Sequence, residues 1–147
     1  MEKVLCDTSV FVALREQEPS LQRIPTTQFF LSAESCHYFI ISYDGTIPEI
    51  NSKFPYFMNE FNGLAEKLGA LQKHALIPVR ASEGGKILGV YNSKAARELG
   101  LSFTDCAFAH YAQELDLCLV TWDSGLFDYC GANGIKASRP DELVVLP

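Results

Sequence analysis

The sequence predicts a single α/β domain, three layers deep, with helices on both faces of a largely parallel central sheet. Three observations predict it. Short apolar segments alternate along the chain with helix-patterned ones. Two of the apolar segments stop abruptly at an aspartate, Asp7 and Asp123. The length of 147 residues suits one domain spanning residues 1–147, since domains most often run about 100–150 residues. A chain of this size buries roughly two-thirds of its unfolded surface and needs no staples.

Lys3 to Cys6 is short, apolar and closed by Asp7, which suits a buried strand. Val10 to Arg15 then reads as the opening of a helix, with Thr8 or Ser9 as its cap. Pro19 and Pro25 interrupt the next stretch, in which Gln28 to Ser35 forms a candidate second helix. His37 to Ser42 is aromatic and β-branched, a strand closed by a turn at Asp44-Gly45. Phe54, Phe57, Met58, Phe61, Leu64, Ala65, Leu68 and Leu71 recur at helical spacing and form one apolar stripe.

Leu76 to Ala81 and Lys86 to Tyr91 flank Glu83-Gly84-Gly85, which reads as a hairpin turn between two strands. Ser93 to Leu99 is a short helix stopped by Gly100. Ser102 opens another helix, through about Leu115. Leu117 to Trp122 is a buried strand ending at Asp123. Gly125 to Cys130 is a short helix, and Ile135 to Ser138 a last strand before Pro140. No internal repeat, low-complexity tract or linker divides the chain.

Composition narrows the class. Hydrophobic residues at 48% and charged residues at 20% are an ordinary globular balance and exclude wholesale disorder. A net charge of −6 argues against a strongly basic nucleic-acid-coating protein. Asp7 arrives before any apolar stretch could serve as a signal peptide, and no run of about 18 apolar residues exists, so a cytoplasmic protein without a membrane span is expected. Cys6, Cys36, Cys106, Cys118 and Cys130 are odd in number, and no two stand as Cys-x-x-Cys. Buried reduced thiols are expected of them rather than a zinc site.

Four acids stand out, and each has a plain structural role open to it. Asp7 can cap the helix that follows. Glu49 in Thr46-Ile47-Pro48-Glu49 and Asp105 in Ser102-Phe103-Thr104-Asp105 match the capping-box form. Asp123-Ser124-Gly125 is ordinary turn chemistry. Taken singly, capping outweighs catalysis for every one. Taken together, two acids follow strands and two begin helices, and in a parallel α/β domain those ends share one rim. Four carboxylates there would desolvate and repel one another unless divalent cations joined them. Hard oxygen donors select Mg²⁺ or Mn²⁺ over zinc. Such ions activate water and stabilise both oxygens in an in-line attack on a phosphodiester.

The same residues carry a family resemblance. Val4-Leu5-Cys6-Asp7-Thr8-Ser9 resembles the opening strand and first acid of PIN domains. Leu99-Gly100-Leu101-Ser102-Phe103-Thr104-Asp105-Cys106-Ala107-Phe108-Ala109 resembles the helix that carries their third acid. Leu119-Val120-Thr121-Trp122-Asp123, with Phe127, Gly134, Ile135 and Pro140, resembles their last acid and closing strand, and Ile47-Pro48-Glu49-Ile50 their second. The resemblance implies a three-layer PIN-like fold and a Mg²⁺- or Mn²⁺-dependent endoribonuclease acting on RNA. It also implies a toxin of the VapBC toxin–antitoxin type, with an antitoxin protein as partner and a homodimer as assembly. By position, Asp7, Glu49, Asp105 and Asp123 take the acidic, metal-holding roles. Ser9 and Thr121 resemble polar residues that hydrogen-bond the acids, and Asp128 an auxiliary acid. The hairpin expected at Gly84-Gly85 departs from the family's toxins, which are commonly helical there.

Other chemistries fit less well. A non-catalytic PIN-like module binding RNA or protein is the alternative, and a flap-type DNA nuclease would need additional helices. His37, His74 and His110 have no metal-ligand spacing, and His110 suits a packed helix histidine. No Gly-x-Ser-x-Gly, phosphate-loop or dinucleotide signature is present. Contact with a nucleic-acid backbone would fall to Lys53, Arg80, Lys86, Lys94 or Arg97, among which the sequence does not choose.

Overall fold

A strand buried on both faces reads as a continuous apolar run, and Val4-Leu5-Cys6 does so. In the computed structural model, which describes residues 2–16, 38–43, 74–77 and 80–143, Glu2–Cys6 forms β1. It lies between β2, Tyr38–Tyr43, and β4, Cys118–Val120. β3, His74–Ile77, and β5, Ala137–Ser138, take the flanks, giving the order β3-β2-β1-β4-β5. All four pairings are parallel. The register sets Cys6 beside Ser42 on one side and beside Val120 on the other.

Val4, Leu5 and Cys6 are fully buried, as are Leu119 and Val120. Successive strand residues point to opposite faces, so both faces are covered at the centre of the sheet. The sheet is therefore the middle layer of an α/β domain. The chain builds outward from β1 through β2 to β3, then returns to the other side of β1 for β4 and β5. That reversal makes a switch point between β1 and β4, and side chains at their carboxyl ends border a crevice.

Helix α1, Thr8–Glu16, starts directly after β1. The expected cap at Thr8 or Ser9 is corrected: Asp7 caps it, its Oδ1 accepting the Ser9 N–H at 3.1 Å. The hairpin expected around Gly84-Gly85 is also corrected. Ala81–Glu83 is a 3-10 turn, and Gly84–Tyr91 is a helix, α2. Gly84 has ordinary helical angles, φ −56° and ψ −41°. Ile87 is buried and Val90 packs on the same core three residues on, which is helical spacing and not strand alternation. Gly84, Gly85 and Gly89 each cost the helix about 1 kcal/mol in propensity, and burial of Ile87, about 1.5–3 kcal/mol, offsets this together with the packing of Val90.

Helix α3, Lys94–Glu98, is capped by Ser93, whose Oγ accepts the Ala96 N–H. It ends at Gly100, whose φ of +66° lies in the left-handed region that suits glycine. Helix α4, Phe103–Glu114, starts at Ser102 and buries Cys106 through Ala112 without a break. Three alanines in that run let α4 approach α2 and β4 closely, around the fully buried Phe108, Leu119 and Leu126. Helix α5, Ser124–Ala132, runs a residue or two beyond its expected limits at each end, and β5 is shorter than expected.

The candidate helix at 28–35, the turn at Asp44-Gly45, the apolar stripe from Phe54 to Leu71, and Cys36, His37, Glu49 and Lys53 lie outside the described residues. Among the described residues no helix is long and apolar enough to cross a membrane.

Candidate functional site

Asp7 ends the central strand and is only 2% exposed. Its own N–H donates to Val120 O at 3.2 Å, tying the end of β1 to the end of β4. Both side-chain oxygens are engaged. Oδ1 accepts from Ser9 Oγ at 2.5 Å besides the Ser9 N–H, and Oδ2 accepts from Thr121 Oγ1 at 2.6 Å. Three donors of this kind favour the ionised carboxylate. Burial nonetheless dominates and raises its pKa from 3.8 to about 7, against the Ser9 and Thr121 hydrogen bonds and with help from the negative charges of Asp105 and Asp123. Two further acids thus lie within electrostatic reach of a buried one.

Ser9 and Thr121 do more than hold one carboxylate. Thr121 is fully buried, and while its hydroxyl donates to Asp7 it accepts the Asp123 N–H at 2.9 Å. The Ser9 Oγ accepts the Trp122 N–H at 2.9 Å and lies 3.3 Å from Thr121 Oγ1. The two hydroxyls sew the start of α1 to the chain leaving β4, across the switch point.

Asp123 caps α5, its Oδ1 accepting the Leu126 N–H at 2.9 Å. Asp105 completes a capping box on α4: its Oδ2 accepts the Ser102 N–H, and Ser102 Oγ accepts the Asp105 N–H, both at 3.1 Å. The plain capping roles and the shared rim therefore coexist. The structure brings Asp7, Asp105 and Asp123 to one edge of the sheet. Asp128 stands exposed on α5 and is not among the charges that act on Asp7. Glu49 lies outside the described residues. Among the described residues, no three His, Cys, Asp or Glu side chains are close enough together to form a ready metal cage.

The loop before α4 borders this rim. A Cβ added at Gly125, two residues after Asp123, would meet Leu99 O at 3.1 Å, Asp123 Oδ1 at 3.3 Å and Leu101 Cδ2 at 3.7 Å. Beyond that loop, Tyr91, Arg97, Gly100 and Leu101 line a shallow depression. Reading 86–91 as a strand hid Tyr91. Tyr91 stands at the last residue of α2, four residues after the buried Ile87, and is 41% exposed.

His110 is a packed helix histidine, as expected, but with a partner the sequence did not suggest: its Nε2 lies 2.7 Å from Glu83 Oε2. Cys6, Cys106, Cys118 and Cys130 are buried and form no disulfide with one another. Burial pushes the Cys106 thiol up to about 11 and the Cys130 thiol up to about 12, which makes both poor nucleophiles.

Fold and site together define an α/β domain with a parallel sheet and a buried carboxylate at its switch point. No protein-family model and no curated protein matches the chain. Solved structures do match it. The crystal structure of PAE2754 from Pyrobaculum aerophilum is similar over 98% of this chain and 94% of that one, with a TM-score of 0.60 and 18% identity. At that identity the likeness concerns the fold.

Proposed function

We propose that this protein is a divalent-metal-dependent endoribonuclease of the PIN type. The observation that carries the reading is Asp7. A buried carboxylate, oriented by two hydroxyls and shadowed by two more acids, is held near the edge of ionisation. Its donor chemistry fits a hard cation such as Mg²⁺ or Mn²⁺, because every candidate ligand is a carboxylate oxygen. Asp7, Asp105 and Asp123 would hold the ion, with Glu49 joining them. Bound there, the metal would supply an activated water and charge stabilisation for phosphodiester hydrolysis.

The protein's own part is orientation and proton control. Thr121 and Ser9 fix both Asp7 oxygens, so the carboxylate enters the site without losing rotamer freedom on binding. Asp105 and Asp123, anchored as helix caps, bring charge to the rim from two different helices. The helical conformation of 84–91 also supports the reading, since it removes the one departure from the family pattern that the sequence suggested. The role of toxin with an antitoxin partner and a homodimeric assembly follow from the resemblance, a cytoplasmic location follows from the pattern of apolar residues, and all three belong to the same proposal.

A non-catalytic RNA- or protein-binding module is the second reading, favoured by the absence of a three-ligand cage among the described residues. One experiment separates them. Purified protein is incubated with a mixed-sequence RNA in millimolar Mn²⁺, in chelator, and as Asp7→Asn. Cleavage that needs Mn²⁺ and is lost in Asp7→Asn supports the nuclease. Cleavage that survives the substitution, or none under any condition, refutes it.

A further inference from the structure

The residues that chance folding would most readily bury are here left outside. Tyr91, at the end of α2, and Phe103, in the first turn of α4, are each 41% exposed. Their rings meet edge to face with centroids 6.0 Å apart. Tyr91 also lines the depression that holds Arg97. Phe103 shares its helical turn with Asp105, and the Gly100-Leu101 floor of the depression continues into the loop that lies against α5 beside Asp123. An aromatic pair and an arginine thus adjoin the acidic rim.

Charge marks the same segment. Residues 80–98 hold four of the chain's 12 lysines and arginines and only two acids, in a protein of net charge −6. Lys86 and Lys94 each pair with a neighbouring glutamate at 3.8 Å, whereas Arg97 forms no ion pair among the described residues. A surface meant for an apolar protein partner would gain nothing from this local cation excess. A strand of phosphates and bases would gain from both features: bases stack on exposed aromatic rings, and a guanidinium contacts phosphate or stacks itself.

We propose that Tyr91, Phe103 and Arg97 form a stacking platform that holds unpaired bases of the substrate strand and delivers its backbone to the rim of Asp7, Asp105 and Asp123. The identity of the strand rests on the ribonuclease reading; the platform itself rests on the exposed rings and the arginine. The open geometry selects against duplexes, whose paired bases are already stacked on one another and present no free face.

The test is binding, measured apart from cleavage. Fluorescence anisotropy of a labelled oligouridine is followed with Asp7→Asn protein, then with Tyr91→Phe, Tyr91→Leu, Phe103→Ala or Arg97→Ala added to it. Stacking is worth about 1–3 kcal/mol per base, or roughly 5- to 150-fold in affinity. Tyr91→Leu and Phe103→Ala should each weaken binding at least about fivefold, Tyr91→Phe should leave it within about twofold, and Arg97→Ala should weaken it and flatten its salt dependence. The same strand annealed to its complement should bind more weakly than the free strand. If Tyr91→Leu binds like Tyr91→Phe, or the duplex binds as well as the single strand, the platform is refuted. If Tyr91→Leu instead changes the sedimenting mass while oligouridine affinity holds, the patch is a protein contact and the proposal is equally refuted. Wild-type protein that binds oligouridine through these rings yet never cleaves would overturn the nuclease and leave the platform standing. Wild-type protein that cleaves with unaltered KM in the ring variants would do the reverse.

Discussion

Replacing Asp7 by asparagine should make the metal-free protein more stable, although it removes the group at the heart of the site. An acid whose folded pKa is raised binds more protons folded than unfolded, so stability falls as pH rises between the two values. For Asp7 those values are 3.8 and about 7. At 1.36 kcal/mol for each tenfold change, ionised Asp7 costs the fold up to roughly 4 kcal/mol. Asparagine escapes that cost and keeps the size. Its Oδ1 can still accept from Ser9, and its amide can donate to the second lone pair of Thr121 Oγ1. Allowing about 1 kcal/mol for the exchanged hydrogen bonds, the net gain above pH 7 is roughly 3 kcal/mol, or about 6–12 °C in Tm for a domain of this length. The assay is thermal unfolding in chelator at about pH 8 and about pH 4.5, the lower value being where most of the linkage has vanished. The gain should be large at the upper pH and small at the lower. An equal or lower Tm for Asp7→Asn at pH 8 would refute the account of Asp7 as a charge under strain.

Thr121→Val removes a buried hydroxyl that serves both Asp7 and the Asp123 N–H, so urea denaturation should show a loss of about 2–3 kcal/mol. With that hydrogen bond gone, the Asp7 carboxyl should titrate at still higher pH, which carboxyl NMR shifts would follow, while Thr121→Ser should restore both properties. Gly100→Ala meets no atom within 4 Å at its added Cβ but must adopt φ +66°, so it should lose about 1–2 kcal/mol by backbone strain alone. Glu83 has its carboxyl held below the ordinary 4.5, chiefly by its hydrogen bond with His110. That stability is present above 4.5 and lost as pH falls through the lower folded value. In acid denaturation Glu83→Gln should therefore be less stable than wild type above about pH 4.5 and lack this part of its acid sensitivity, the two stability curves converging as pH falls.

The parts of the fold that were legible in the sequence share a local cause. Ser102 and Asp105 announce the start of α4 because a capping box is built from neighbours, and Gly100 ends α3 because its backbone demands a left-handed residue. Val4 to Cys6 and Cys118 to Val120 are unbroken apolar runs, followed by Asp7 at once and by Asp123 three residues on, so the burial of β1 and β4 and their place beside the site could be read directly. The hairpin at 83–85 was misread because Glu83-Gly84-Gly85 carries a strong turn signal whose rival is long-range. Ile87 packs on α4, sixteen or more residues away along the chain, and no local rule registers that. The site divides in the same way. Asp7, Asp105 and Asp123 were visible as residue types at element ends, and the resemblance already pointed to Ser9 and Thr121 as partners of the acids, whereas the Glu83–His110 pair and the exposed Tyr91–Phe103 rings exist only once distant segments meet.

One feature of Asp7 reaches beyond its own environment: it closes the strand at the middle of the sheet, hydrogen-bonded to β4 through its backbone. That segment has no slack with which to swing its carboxylate toward water and so relax. An ion taken up there as proposed would have to evict a proton below neutrality, and its occupancy would then depend on acidity as well as on ion supply. Near pH 6 each uptake event should liberate close to one H⁺, and apparent affinity should weaken about tenfold for every further drop of one in pH.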